Sequence, residues 1–188
     1  EAILRAIEAS PGLVVVDEAY YPFSNGATLL DEVGRHPNLL LVRTVSKLGL
    51  AGLRLGVGIG PRDWMVELEK LRMPYNVNVL TAAAADLVLE RREVLLEQTR
   101  RIVDQRARLE AALDRMGGVT RFPSAANFVL IRVADAPAAF EGLKQRGILI
   151  KTLHGSHPLL AHCLRLTVGT ADENAKLIEA LASVLSHA

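Results

Sequence analysis

LLLVRTVSKLGLAGLRLGVGIG, residues 39–60, opens with an apolar run from Leu39 to Val42 that reads as a buried strand. The run ends in Arg43-Thr44-Val45-Ser46-Lys47; Gly49 and Gly52 follow, then Arg54, then a second apolar run from Leu55 to Ile59. In open α/β sheets, ligands sit beyond the carboxyl ends of strands. A strand that stops at a hydroxyl and an amine, crosses a glycine-bearing turn and reaches a guanidinium offers Ser46, Lys47 and Arg54 to an anion or a carbonyl.

Upstream of this stretch, Ala2 to Ala9 has a helical pattern that Pro11-Gly12 breaks. Leu13 to Val16 is a continuous apolar run, predicted to be a strand buried on both faces, ending in Asp17-Glu18-Ala19-Tyr20. Thr28 to Arg35 is predicted to be helical, and His36-Pro37-Asn38 turns the chain into the Leu39 strand. This alternation of strand and helix indicates α/β layering. Downstream, Pro61-Arg62-Asp63 starts a helix that runs to about Arg72. From Val79 to Met116 the sequence is helical almost without interruption, too long for one ordinary helix, so a bend is expected within Glu90 to Glu93. Leu87, Leu95, Ile102, Leu109 and Leu113 form one apolar stripe along it, and Gly117-Gly118 stops it. Strands at Val119 to Phe122, Asn127 to Val133 and Leu164 to Val168, with helices at Pro137 to Arg146 and Ala171 to Leu185, make a small α+β unit. Thr170 or Asp172 is the expected cap of the last helix. A domain boundary is expected inside the long helical region.

The bulk composition excludes several classes. Half of the 188 residues are hydrophobic, ample for a core, and 22 Lys and Arg stand against 21 Asp and Glu, for a net charge of +1. No basic block marks a nucleic-acid partner. Cys163 is the one cysteine, so no internal disulfide forms; it reads as a core residue, and a reducing cytoplasmic setting is expected. No apolar run is long enough to span a bilayer, and no signal peptide is visible. The chain begins Glu1-Ala2-Ile3-Leu4 without an initiator Met, and a piece of a longer protein is expected.

The residues able to carry chemistry gather at strand ends. Asp17 follows three valines, so a partly buried carboxylate with a cationic partner is expected there, although aspartates at strand ends also serve turns. Lysines after strands are commonly surface charges, yet a desolvated lysine forms a Schiff base with a carbonyl. Arg54 could be a simple surface charge or could grip a phosphate with its planar fork. Pyridoxal phosphate needs an amine for its aldehyde, a carboxylate for its ring nitrogen and donors for its phosphate. Lys47, Asp17, and Ser46 with Arg54 would meet those needs, and Tyr20 could donate to the ring's phenolic oxygen. By contrast, His154, His157 and His162 in HGSHPLLAH match no strong zinc spacing and read as a polar loop, so no metal site is expected. The glycines from Gly49 to Gly60 match no dinucleotide fingerprint in context.

Asp17-Glu18-Ala19-Tyr20, Ser46-Lys47 and Gly52-Leu53-Arg54-Leu55-Gly56 together resemble the fold-type I aminotransferases, and within them the histidinol-phosphate aminotransferases. Pro74-Tyr75-Asn76-Val77-Asn78, Ala126-Asn127-Phe128-Val129 and Cys163-Leu164-Arg165-Leu166-Thr167-Val168-Gly169-Thr170 extend the resemblance over essentially the whole chain. It implies an α/β fold: the C-terminal part of a large domain with a mostly parallel sheet and helices (1–78), connecting helices (79–116) and a small α+β domain (117–188). It implies Lys47 as the catalytic amine that carries pyridoxal 5'-phosphate, Asp17 on the ring nitrogen, Tyr20 on the phenolic oxygen, and Ser46 and Arg54 on the cofactor phosphate. Arg165 would bind the substrate carboxylate. Lys151 stands where some members have an arginine for the substrate phosphate, as a point charge in place of a fork.

The implied activity is amino transfer between histidinol phosphate and 2-oxoglutarate in histidine biosynthesis, by a cytoplasmic homodimer acting on small amino-acid and 2-oxo-acid substrates, with no nucleic-acid or membrane partner. Other fold-type I reactions, decarboxylation of an amino-acid phosphate or aromatic transamination, use the same lysine and aspartate. A non-catalytic pyridoxal-phosphate sensor domain is the alternative outside enzymes. The turn from Lys47 to Arg54 is one residue shorter than in many relatives. The family's N-terminal half, with its ring-stacking aromatic and its glycine/serine phosphate turn, has no counterpart in this sequence, and the isolated chain is expected to be inactive.

Overall fold

The computed structural model describes residues 1–186. They divide into two compact units, Glu1–Glu97 and the chain from Gln98 onward.

The first unit is built on a sheet of three strands in the order β1-β2-β3. Strand β1 (Val14–Asp17) pairs parallel with β2 (Leu39–Thr44), and β3 (Gly56–Ile59) returns antiparallel on the other side of β2. Helix α1 (Ala2–Ala9) lays Ile7 onto Leu39 and Leu41, with Val14, Val16 and Ile59 around them. Asn38 fixes this packing: its side-chain amide donates to the carbonyls of Ile7 in α1 and of Ser10 and Gly12 beyond it, tying the end of α1 to the residue just before β2. The run Leu13 to Val16 departs from the expected two-sided burial. Val14 and Val16 face α1, whereas Val15 points to the other face and is 54% exposed, because no described residue covers that face. Thr28 to Arg35 also departs: only a single 3-10 turn forms, Leu30–Glu32. The amide of Leu29 and the hydroxyl of Thr28 are taken by the Glu18 carboxylate, so the segment hangs on a side chain from β1's end and stays too short to nucleate a helix.

Helix α2 (Arg62–Leu71) follows Pro61, with Trp64 Nε1 donating to Pro37 O. Gly60 lies ahead of it, close against β2: a Cβ there would come within 2.7 Å of Leu40 Cδ1, and that side chain would have to shift. Helix α3 (Val79–Glu90) is capped by Asn78 and buries only Thr81, leaving Val79 and Leu80 more than 80% exposed. Arg91 breaks the helical run, and α4 (Arg92–Asp114) continues from it into the second unit. The apolar stripe predicted through both helices survives only in α4: Leu109 and Leu113 are buried and Ile102 packs on the same core, but Leu87 is 51% exposed.

The second unit holds a four-stranded antiparallel sheet in the order β4-β5-β7-β6: β4 (Thr120–Arg121), β5 (Phe128–Arg132), β6 (Lys151–Thr152) and β7 (Cys163–Thr167). Helices α5 (Ala136–Gln145) and α6 (Ala171–Leu185) and the end of α4 supply its core. Strand alternation sorts the faces. Val129 and Ile131 of β5 pair with Leu166 and Leu164 of β7, and all four are fully buried against the helices. Phe128, Leu130 and Arg165 therefore share the opposite face. Cys163 is buried, its thiol 3.7 Å from Ala161 O. Thr170 caps α6 in a capping box with Glu173.

Candidate active site

Because β1 and β2 are adjacent and parallel, their carboxyl ends open onto one edge, and the loops that leave them meet there. Asp17 is the last residue of β1. It is exposed, and its Oδ1 accepts from Ala19 N at 2.8 Å, a tight turn that sets the course of Tyr20 and of the Tyr21–Phe23 turn, anchored by the fully buried Phe23. The expectation that Asp17 would be partly buried against a cation fails: it makes no ion pair among the described residues. The cation goes to its neighbour. Glu18, its side chain only 7% exposed, takes Arg43 Nε at 3.0 Å and Nη2 at 2.8 Å on Oε2, and Leu29 N at 2.7 Å on Oε1, with Thr28 Oγ1 donating to the same carboxylate. Arg43 also lies 4.0 Å over the Tyr21 ring. Burial works to raise the Glu18 pKa, but the bonds from Leu29, Arg43 and Thr28 and the Arg43 charge outweigh it, and the carboxyl is held below its usual value. This clamp ties the loop after β1 to β2. The sequence signal for it was available, an acid next to Asp17 and an arginine near the end of the adjacent strand, but pairing them required the register.

Lys47 sits in a one-turn 3-10 helix, Ser46–Leu48, that leaves β2 and ends at Gly49 with φ +85°, a conformation suited to glycine. The lysine is half-buried, its Nζ 5.2 Å from the Tyr20 ring centroid, and no carboxylate pairs with it among the described residues. Ser46 N donates to Thr44 Oγ1 at 3.0 Å, and the two hydroxyls lie 2.9 Å apart, so the turn is braced from the strand itself. Arg54 is exposed and held in the left-handed region at φ 52°, ψ 33°. A non-glycine residue costs about 1 kcal/mol or more there, and such strain collects at functional positions. The residue before it is fixed by α3: Thr81 Oγ1 donates to Leu53 O at 3.3 Å. Asp17, Tyr20, Ser46 and Lys47 thus lie on the loops of a single sheet edge, and Arg54 on the connection that starts from that edge.

Lys151 and Arg165 belong to the second unit, directly opposite each other across β6 and β7. Like charges facing across a sheet repel. No acid pairs with either among the described residues, Arg165 Nε is buried without a hydrogen-bond partner, and its Cζ lies 5.2 Å from the Phe128 ring. Two cations without an acidic partner among the described residues thus stand side by side on one face of the sheet. The histidines do structural work: His154 Nδ1 accepts from His162 N, His157 Nδ1 accepts from Leu159 N, and the rings of His154 and His162 lie 4.7 Å apart.

Residues 1–181 match the family model for aminotransferase class I and II, and the chain belongs to that family. The family is pyridoxal-phosphate dependent, and the residues at the β1–β2 edge fit that group: an amine without a carboxylate partner, a carboxylate with Oδ2 unbonded among the described residues, a phenol, a hydroxyl and a guanidinium. The chain is 52% identical over 181 residues to a histidinol-phosphate aminotransferase of Chromobacterium violaceum, covering 96% of this chain and 51% of that protein. Among solved structures, it superposes on a histidinol-phosphate aminotransferase of Clostridium acetobutylicum with a TM-score of 0.90 at 23% identity, covering all of this chain and 58% of that one. It also superposes on one from Sinorhizobium meliloti in complex with pyridoxal-5'-phosphate, with a TM-score of 0.84 at 28% identity, covering 98% and 53%. The chain spans about half the length of the curated relatives it matches.

Proposed function

We propose that this chain carries the amine-bearing part of a histidinol-phosphate aminotransferase, which moves an amino group from histidinol phosphate to 2-oxoglutarate with pyridoxal 5'-phosphate. The observation that carries the reading is Lys47, half-buried beside Tyr20 without a carboxylate partner among the described residues, at an edge it shares with Asp17. When bound, the cofactor supplies an electron sink for the charge that develops at the substrate α-carbon. Lys47 Nζ is the attachment point and moves the proton at that carbon. The Asp17 carboxylate holds a proton on the ring nitrogen, and that charge pairing stabilises the transition state more than the ground state. Tyr20 donates its hydroxyl to the ring oxygen, while Ser46 and Arg54 hold the phosphate.

Arg165 binds a substrate carboxylate and Lys151 a substrate phosphate. The unneutralised pair suits both partners of the exchange, since histidinol phosphate carries a phosphate and 2-oxoglutarate two carboxylates. Residues 1–78 form the cofactor side, 79–116 the connecting helices and 117–188 the substrate-anion side. A homodimer is supported by α3, which leaves Val79, Leu80, Leu87 and Leu89 exposed, side chains of a kind ordinarily buried. A cytoplasmic setting is supported by the single, buried cysteine.

Borohydride reduction of the chain with pyridoxal phosphate, followed by peptide mapping, tests the site: the adduct is expected on Lys47, and an adduct confined to other lysines would overturn it. Lys47→Ala in the active protein is expected to abolish amino transfer from histidinol phosphate to 2-oxoglutarate. Retained transfer in that variant, or release of carbon dioxide from an amino-acid phosphate by the active protein with no transfer from histidinol phosphate, would refute the reaction.

A further inference from the structure

Arg106 lies in the second half of α4 and is only 6% exposed, an uncommon place for a guanidinium. Its Nη1 donates to Ala126 O at 2.8 Å. A buried charge is costly unless bonded, and an apolar residue of the same length would fill the space at less cost. Its bond to Ala126 O fixes the position of that carbonyl, which sits in the loop that feeds β5. The loop is fixed at every step. Ser124 Oγ accepts from Ala126 N and donates to Phe128 O, and Asn127 O accepts from Val168 N at 2.9 Å. The next side chain is Phe128, whose ring lies 5.2 Å from Arg165 Cζ. Arg165 Nε has no acceptor, so its guanidinium is oriented by the aromatic face and the strand and not by a hydrogen bond.

We propose that Arg106 is a positioning residue for the anion-binding pair Lys151 and Arg165, acting through the Ala126 carbonyl and the Phe128 ring. This rests on the reading of that pair given under Proposed function. Arg106 itself touches no substrate. It sets where β5 begins, β5 sets the ring, and the ring sets the guanidinium that meets the anion. A displacement of the loop carbonyl therefore reaches Arg165 through Phe128 at the first rung of the β5–β7 ladder, while the rung between Val129 and Leu166 is kept.

The test is the exchange rate of the Arg165 Nε–Hε proton by nuclear magnetic resonance, in wild type, Arg106→Met, Arg106→Lys, Phe128→Leu and the Arg106→Met/Phe128→Leu double variant. Arg106→Met is expected to speed that exchange about tenfold, and Phe128→Leu by a similar factor. The double variant should be within about twofold of Phe128→Leu alone, because both changes act along one path. The amides of Val129 and Leu166 should keep their wild-type rates. Arg106→Lys keeps one donor for Ala126 O and is expected to fall between wild type and Arg106→Met. It also decides the matter if Arg106→Met does not fold.

Multiplicative effects in the double variant, unchanged Arg165 exchange in both Arg106 variants, or ladder amides accelerating by the same factor would each overturn the proposal. Inorganic phosphate should shift the Arg165 Nε–Hε resonance in wild type and bind about fivefold or more weakly to Arg106→Met. Absence of any wild-type shift would overturn the anion-site reading and the proposal with it. A wild-type shift with unchanged affinity in Arg106→Met would overturn the role of Arg106 alone.

Discussion

Glu18→Gln probes the clamp that holds the loop after β1. The carboxylate accepts two N–H bonds from Arg43 on Oε2 and one from Leu29 N on Oε1. A glutamine has one acceptor and one donor end. Whichever way it sits, its NH2 group faces an N–H donor, either the Arg43 guanidinium or the Leu29 amide. With the oxygen toward Leu29, both charge-assisted bonds to Arg43 are lost, and each contributes about 1.5–3 kcal/mol. Arg43 recovers part of this, since its side chain is 23% exposed to water and keeps Thr28 and the Tyr21 ring. The expected loss is about 2–3 kcal/mol of unfolding free energy at pH 7.

The pH dependence has a definite sign. The folded-state pKa of Glu18 lies below the ordinary carboxyl value of 4.5, so its contribution is complete above that value and is lost as pH falls through the depressed folded pKa. The gap between wild type and Glu18→Gln should therefore shrink on acidification from pH 4.5 downward. Urea titrations at pH 7, 4.5 and 3, followed by Trp64 fluorescence and far-ultraviolet circular dichroism, measure both. A loss under about 0.5 kcal/mol would place the pair with ordinary surface salt bridges and refute the reasoning. So would a gap that stays constant with pH.

Arg54→Gly should relieve the left-handed strain and leave the chain as stable as wild type or up to about 1 kcal/mol more stable, while weakening pyridoxal phosphate retention; thermal melts paired with cofactor titration check both directions. Thr170→Ala removes the α6 cap and should cost about 1 kcal/mol, read from denaturant midpoints, with no change in adduct formation at Lys47. Leu109→Ala opens a hole in the fully packed second core and should cost about 2–5 kcal/mol on the same titrations; a loss below 1 kcal/mol would mean that α4 does not share that core.

The helices with strong period and clear punctuation were legible in advance. Ala2–Ala9, Arg62–Leu71 and Ala171–Leu185 stand where Pro, Gly and Thr signals put them, and the break at Arg91 falls inside the expected bend. Segments whose conformation depends on a distant partner were not. Thr28 to Arg35 has a helical composition, yet the Glu18 carboxylate takes the Leu29 amide and the Thr28 hydroxyl, and Arg43 on the neighbouring strand holds that carboxylate in place. The two-residue strand β6 carries no periodic signal; it exists because β7 offers it a ladder.

The identities of the candidate groups, Asp17, Tyr20, Ser46, Lys47 and Arg54, follow from residue chemistry at strand ends, because an apolar run that stops at a polar group is a local pattern. The mixed α/β class was also legible, because apolar runs and helical stretches alternate along the chain. Only the tertiary structure decided which acid receives the cation, Glu18 and not Asp17, and that Lys151 faces Arg165. Those pairings are set by strand register, and register arises from side chains far apart in the chain burying one another, which no local window contains.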